Sequence, residues 1–411
     1  MVYPAGEEAP GGGSCPSGRE GGRAVTTVEG KRRALSVGYF VLGALAAAGV
    51  VMGVVRLVSG LGTTTNLSDA YPWGLWIVYD VFFIPFSAGA FMISAVTHIY
   101  DREEYHSIAR PVVLAGFAGY VFVVLILLMD LGRWHKFYNI LIPWYWNLHS
   151  FMFEVSMCIT LYTGILIMEV APAILERLNW QRLLRMIRPL TVVIAGAGIV
   201  LSSLHQSSLG SLFLLMPYKL HPLWWTPLLP LQFFTSAAFS GLAMAIFVAA
   251  LSFRAFRRPL QIGLLTDIAR IISIILGIYL VLKVGDLILA GEIGLIFSEG
   301  WLSLLFLEEI VIGVVVPLVL FSTRRVRESS TGLIWGASCV LAGLALNRLS
   351  VPLLALRAPT GVFYFPHWAE LIVSIGAVAG GVLAFILAVR FLPVLPEHRL
   401  EASHAGVGGR E

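Results

Sequence analysis

Six residues have side chains suited to moving protons or holding a polar ring, and all six stand in long apolar runs: Asp80, Tyr120, Glu154, Tyr162, Glu169 and His205. Ionisable groups are costly in hydrocarbon and are functional candidates wherever they occur there. Glu154 and Glu169 are fifteen residues apart, about 22 Å along a helix, with Tyr162 between them on roughly the same side. A carboxylate–phenol–carboxylate series can relay protons if water fills the gaps. The alternative is that each carboxylate pairs with an arginine or a backbone group. Asp80, Ser87 and Ser94 recur at seven-residue steps and share one helical face. His205 sits in SSLHQSSLGS, with six polar side chains around it across ten residues. Such a face must meet protein, water or a polar ligand rather than lipid.

Other charges lie in apolar runs too. Asp130 follows Tyr120; Lys283 and Asp286 are spaced to form an ion pair within one helix; Arg270, Arg348 and Glu370 add more. Glu308 and Glu309 are adjacent, so at most one can face a common cavity. Haem is not expected: bis-histidine ligation needs two histidines at matching depth, and only His205 is deep, with His149–His205 an unconvincing pair. The cysteines, Cys15, Cys158 and Cys339, are too scattered for a disulfide framework or a cysteine-ligated metal site, so no metal is assigned to this chain.

The elements that must position these groups follow from composition. The sequence is 58% hydrophobic and 13% charged, where a soluble domain carries about 25% charged residues, so lipid is its solvent. Ten runs are long enough to cross a bilayer: 35–58, 73–100, 110–131, 147–172, 188–216, 227–253, 264–290, 301–322, 331–349 and 367–393. The expected fold is therefore all-α and polytopic, with two packed bundles at 35–216 and 217–395. The glycine-rich, charged segment 1–34 reads as a disordered cytoplasmic tail and 396–411 as a second tail. Placing both termini inside puts twenty Lys and Arg in inner segments and five in outer ones, the bias expected of an inner (cytoplasmic) membrane protein of a bacterium or archaeon. Outer segments 133–149 and 217–226 are crowded with Trp, Tyr and His, as an interfacial belt or a docking surface would be. The basic residues form no single patch, and no nucleic acid is expected as a partner.

Three stretches go beyond composition: NLSDAYPWGLWIVYDVFFIPFSAGAF (66–91), HSFMFEVSMCITLYTGILIMEVAP (149–172) and LSSLHQSSLGSLFLLMPYKLHPLWWTPLLPLQFF (201–234). They resemble the NrfD/PsrC-type family of quinone-interacting membrane subunits, in the ten-helix branch that includes the HybB subunit of nickel–iron hydrogenase and the DsrP subunit of sulfite-reduction complexes. The resemblance covers about residues 35–395. It implies a membrane subunit, without the catalytic centre, of a hydrogenase-type or sulfur-metabolism-type quinone oxidoreductase. Such a subunit exchanges electrons between a quinone (menaquinone or ubiquinone) and a periplasmic ferredoxin-like iron–sulfur subunit; the catalytic redox subunit is a separate chain. It matches Asp80, Tyr120, Glu154 and His205 to quinone and proton positions, with Tyr162 and Glu169 along a proton route. Two-electron quinone chemistry moves two protons, which these side chains can donate or accept. A secondary transporter, or a passive anchor for a redox complex, remains an alternative on the residues alone.

Overall fold

A chain this apolar can satisfy its backbone groups within lipid only by closing them into helices or a barrel. The computed structural model describes residues 19–256, 260–356 and 364–392, with side chains from residue 37 onward except Glu103. Among the described residues the regular elements are all helices, apart from one isolated bridge between Leu220 and Leu356. Ten helices are long and apolar enough to span a membrane: α1 (Val37–Ser59), α2 (Leu75–His98), α3 (His106–Asp130), α4 (Phe151–Arg177), α5 (Gln181–Leu214), α6 (Leu229–Ala255), α7 (Ile262–Leu289), α8 (Trp301–Ser322), α9 (Ser330–Leu354) and α10 (Trp368–Phe391). Each corresponds to one expected run. Helical backbone leading into α1 begins at Arg19, within the segment read as a tail; the rest of that segment, 1–18, and the tail 396–411 lie outside the described residues.

Helices α2 and α6 form the centre, and most of each is buried. Helices α2, α3, α4 and α5 pack together, as do α6, α7, α8 and α9. Last in the chain, α10 packs on α1 and α3. Three glycine pairs set the closest crossings: Gly89 with Gly241 between α2 and α6, Gly313 with Gly343 between α8 and α9, and Gly49 with Gly376 between α1 and α10. At each, a Cβ on one glycine would strike its partner's backbone, so absence of a side chain permits the approach. Two helices carry a turn of π geometry, Val311–Val315 in α8 and Ser350–Leu354 at the end of α9. Such turns often mark places where side chains are re-aimed.

The two ends of the molecule differ. One carries the exposed rings of the loop after α3, including Phe137, Trp144 and Tyr145, and is called here the aromatic end. The other carries Arg102, Arg110, Arg188, Arg324 and Arg325 and is called the arginine end. The loop 217–226 departs from the belt reading. Tyr218 is exposed, but His221 and Trp224 turn into the core, where the His221 N–H donates to the Ala355 carbonyl at 2.9 Å.

Candidate functional site

The helices α2, α3, α4 and α5 bring the candidate residues together. His205 on α5, Tyr120 on α3 and Tyr162 on α4 are almost wholly removed from the surface, as is Asp80 on α2. The Tyr120 and Tyr162 rings lie 4.8 Å apart, centroid to centroid, and the His205 ring is 6.4 and 6.5 Å from them. The polar face of α2 does turn toward α4: the Tyr162 hydroxyl lies beside Ser87, and beside Ser202 of α5, without a well-directed hydrogen bond to either. Asp80 is close enough to Tyr120 and to Asp130 for their charges to interact.

What distinguishes this cluster is unmet hydrogen-bonding capacity. Among the described residues, both oxygens of Asp80, both ring nitrogens of His205, the hydroxyls of Tyr120 and Tyr162, both ends of the Gln206 amide and the Trp76 indole N–H are buried without a partner. A buried polar group left unsatisfied costs about 1–3 kcal/mol. So many in one place make this the candidate site for polar groups from elsewhere.

The two glutamates flank the cluster along α4. Ser150 caps this helix by accepting the Phe153 N–H, which places Glu154 in the first turn. The Ser208 hydroxyl donates to Glu154 at 2.5 Å. At the other side Ser94 donates to Glu169. Between Tyr162 and Glu169 the interior is apolar: the Phe91 ring, 5.1 Å from that of Tyr162, fills the space left by Gly198, and Leu166 is buried beside it. The carboxylate–phenol–carboxylate series is thus present as two polar stations and an apolar step.

Several participants were not singled out by sequence. Ser208 and Ser202 belong to the polar run around His205, which signalled a polar face without saying which hydroxyl serves which partner. Arg56 carried no signal, because it ends an apolar run as many snorkelling arginines do. It is buried, donates to the Leu131 carbonyl at 2.8 Å, and lies 6.0 Å from the Trp76 ring. Near Asp130, it closes the aromatic end of the cluster.

The second group of helices holds a different network. Glu309 is buried and accepts from Trp224 and Asn347, both at 2.8 Å, while Glu308 is exposed. Arg348 donates to Asn347 at 2.6 Å and to Ser236 at 2.8 Å, and lies 3.7 Å from the Phe233 ring. The expected Lys283–Asp286 ion pair does not form. Lys283 donates to Gln232 at 3.2 Å and Asp286 accepts from Thr226 at 2.8 Å, because each side chain finds a closer partner on a neighbouring element. Glu370 accepts from the Asn66 and His367 N–H groups and from Tyr364, tying α10 to the chain before α2. Arg270 pairs with Asp267 at the surface.

No group of three or more His, Cys, Asp or Glu able to hold a metal occurs among the described residues. Haem fits poorly as well. His205 is hemmed by two tyrosine rings, and the other buried histidine, His221, is engaged by Glu299 at 3.3 Å and by the Leu223 N–H. His149 is exposed in its loop.

Comparison with known proteins places the chain among integral membrane subunits. The family profile described as polysulphide reductase, NrfD, matches residues 63–355. The chain is 34% identical over 381 residues to the probable Ni/Fe-hydrogenase 2 b-type cytochrome subunit of Escherichia coli (strain K12), covering 90% of this chain and 97% of that protein. It is 30% identical over 376 residues to the menaquinone reductase integral membrane subunit of Nitratidesulfovibrio vulgaris, covering 83% and 87%. The Hdr-like menaquinol oxidoreductase integral membrane subunit of Archaeoglobus fulgidus is 23% identical over 408 residues, covering 89% and 96%.

Proposed function

Since the chain belongs to the NrfD polysulphide reductase family, we propose that it is the integral membrane subunit of a respiratory redox complex, exchanging electrons between the quinone pool and an iron–sulfur partner. The observation that carries this reading is the cluster of buried, partnerless hydrogen-bonding groups between α2 and α5. A quinone ring supplies two carbonyl oxygens, which take up two electrons and two protons on reduction. His205 and Tyr120 have the donors to hold those oxygens, and neither donor is taken by another described residue. Asp80 and Glu154 stand on either side to give or take protons, and Tyr162 and Glu169 continue toward the arginine end.

The positive-inside bias puts the arginine end in the cytoplasm and the aromatic end in the periplasm, as in a bacterial or archaeal inner membrane. The exposed rings of 133–149 then form the surface on which a ferredoxin-like subunit docks, with the catalytic subunit beyond it. The named relatives favour a hydrogenase-type or menaquinone-linked assembly, and menaquinone as the quinone. A passive anchor would have no need of unsatisfied polar groups at its core, and a transporter would need them to face a substrate path. Titration of the purified complex with a fluorescent menaquinone analogue tests the reading. Saturable binding is expected, weakened at least several-fold by His205→Phe; binding unaffected by that change would overturn it.

A further inference from the structure

Beyond Glu169 the structure continues toward the arginine end. Its carboxylate has two fates for its oxygens: one accepts from Ser94, and the other is buried without a partner. The Ser94 hydroxyl also lies 3.2 Å from Nδ1 of His98, one turn further along α2, and the same nitrogen is 2.9 Å from the Ser94 carbonyl. His98 is only half-buried, and its ring stands edge-on to that of His106 at 5.3 Å. Glu169, His98 and His106 all line a cavity of about 230 Å³ at this end, large enough for several waters. Two arginines stand at it, Arg110 and Arg188, paired with Glu176 at 3.1 and 3.5 Å.

We propose that Glu169, Ser94 and His98 form a proton port, in which His98 passes protons between cavity water and Glu169. The inference deepens the quinone reading and rests on it. In the inward-loading direction, His98 Nε2 takes a proton from a hydronium in the cavity. Its Nδ1 proton passes to Ser94 Oγ, and the Ser94 hydroxyl proton passes to the Glu169 carboxylate. The serine ends with the one proton it began with, the glutamate is neutral, and the imidazole, left protonated at Nε2, regains its starting tautomer when cavity water takes that proton and another is returned from water to Nδ1. Release runs through the same atoms in reverse. Glu176 is a poorer candidate, because both its oxygens are already engaged by guanidinium groups. His106, Arg110 and Arg188 set the field around His98, and His106 is the nearest imidazole through which protons reach the surface.

The test uses the whole complex reconstituted in vesicles, with a soluble menaquinone analogue as electron acceptor. His98→Ala is expected to slow quinone-linked turnover about tenfold or more, the scale of a lost acid–base group. Analogue binding should stay at the wild-type level. Added imidazole, small enough for the cavity, should restore much of the rate. His98→Gln, which can keep a contact to Ser94 but cannot titrate, should be slowed like the alanine variant and serves if that variant fails to assemble. Wild-type turnover in both variants overturns the port. So does a slowed variant that binds the analogue normally and is not rescued by imidazole. A wild-type complex that fails to bind the analogue would instead defeat the quinone reading itself.

Discussion

Replacing His205 with phenylalanine should separate function from stability, because its effects on the two have opposite sign. The imidazole is buried and neither ring nitrogen has a partner among the described residues. Without a ligand it is a polar group taken from water at a cost of about 1–3 kcal/mol. Phenylalanine has a similar shape and no such cost, so the apo complex should melt at the same temperature or higher. With a ring bound, the imidazole makes a hydrogen bond to a carbonyl oxygen, and removing it strands that oxygen. The same 1–3 kcal/mol then weakens binding by about 5- to 150-fold, at 1.4 kcal/mol per tenfold. Differential scanning fluorimetry of the detergent-solubilised complex gives the first number, and analogue titration the second. A lowered melting temperature with unchanged affinity would show that His205 is a structural hydrogen bonder and would refute the argument.

Glu154→Gln should slow quinone-linked turnover by an order of magnitude or more while the complex still assembles, since the amide keeps the Ser208 contact at 2.5 Å but cannot carry a proton; an unchanged rate would remove Glu154 from the route. Arg348→Met leaves Lys283 as the one cation near Glu309 among the described residues and strips Asn347 and Ser236 of a charged donor, so assembly yield or melting temperature should fall, at a cost in stability of up to about 3–5 kcal/mol, while analogue affinity in surviving complex is retained. Trp224→Phe removes one donor to Glu309 and should cost about 1.5–3 kcal/mol, read as a smaller loss of melting temperature. Gly89→Val places a branched side chain against the Gly241 backbone and should destabilise α2–α6 packing more than Gly38→Val, where the space is open, in a melt of the same preparation.

The spans were legible because the bilayer imposes one length and one composition on every crossing, and ten runs met that rule. The candidate cluster was legible for a related reason. A carboxylate, two phenols and an imidazole in apolar runs violate the cheapest sequence for a lipid-facing helix, and a violation is visible without a structure. What sequence could not supply was pairing across helices. Lys283 and Asp286 have the spacing of an ion pair, yet Gln232 and Thr226 take them, and neither lies nearby in sequence. Trp224 read as an interfacial ring because Trp commonly is one, while its indole N–H is committed to Glu309. The apolar step at Phe91 was invisible too, since a phenylalanine in an apolar run carries no signal until Gly198 is found to make room for it.

The two groups of helices treat buried polarity in contrasting ways, and the contrast bears on which of them does chemistry. Around Glu309 and Arg348 each charge has a neutral amide, indole or hydroxyl partner and the guanidinium rests on an aromatic face, leaving Arg348 Nε and the Gln232 amide nitrogen as the buried atoms without a partner. Such a network is costly to break and gains little from a visitor. Around His205 the side chains are as deeply buried, yet their donors and acceptors stay open. Folding alone gives no reason to keep them, because apolar residues of the same size would be cheaper. A ligand that arrives through the membrane with two carbonyl oxygens, and leaves with two hydroxyls, supplies that reason. It would use the first group of helices and leave the second as the frame that holds α2 in place through the Gly89–Gly241 crossing.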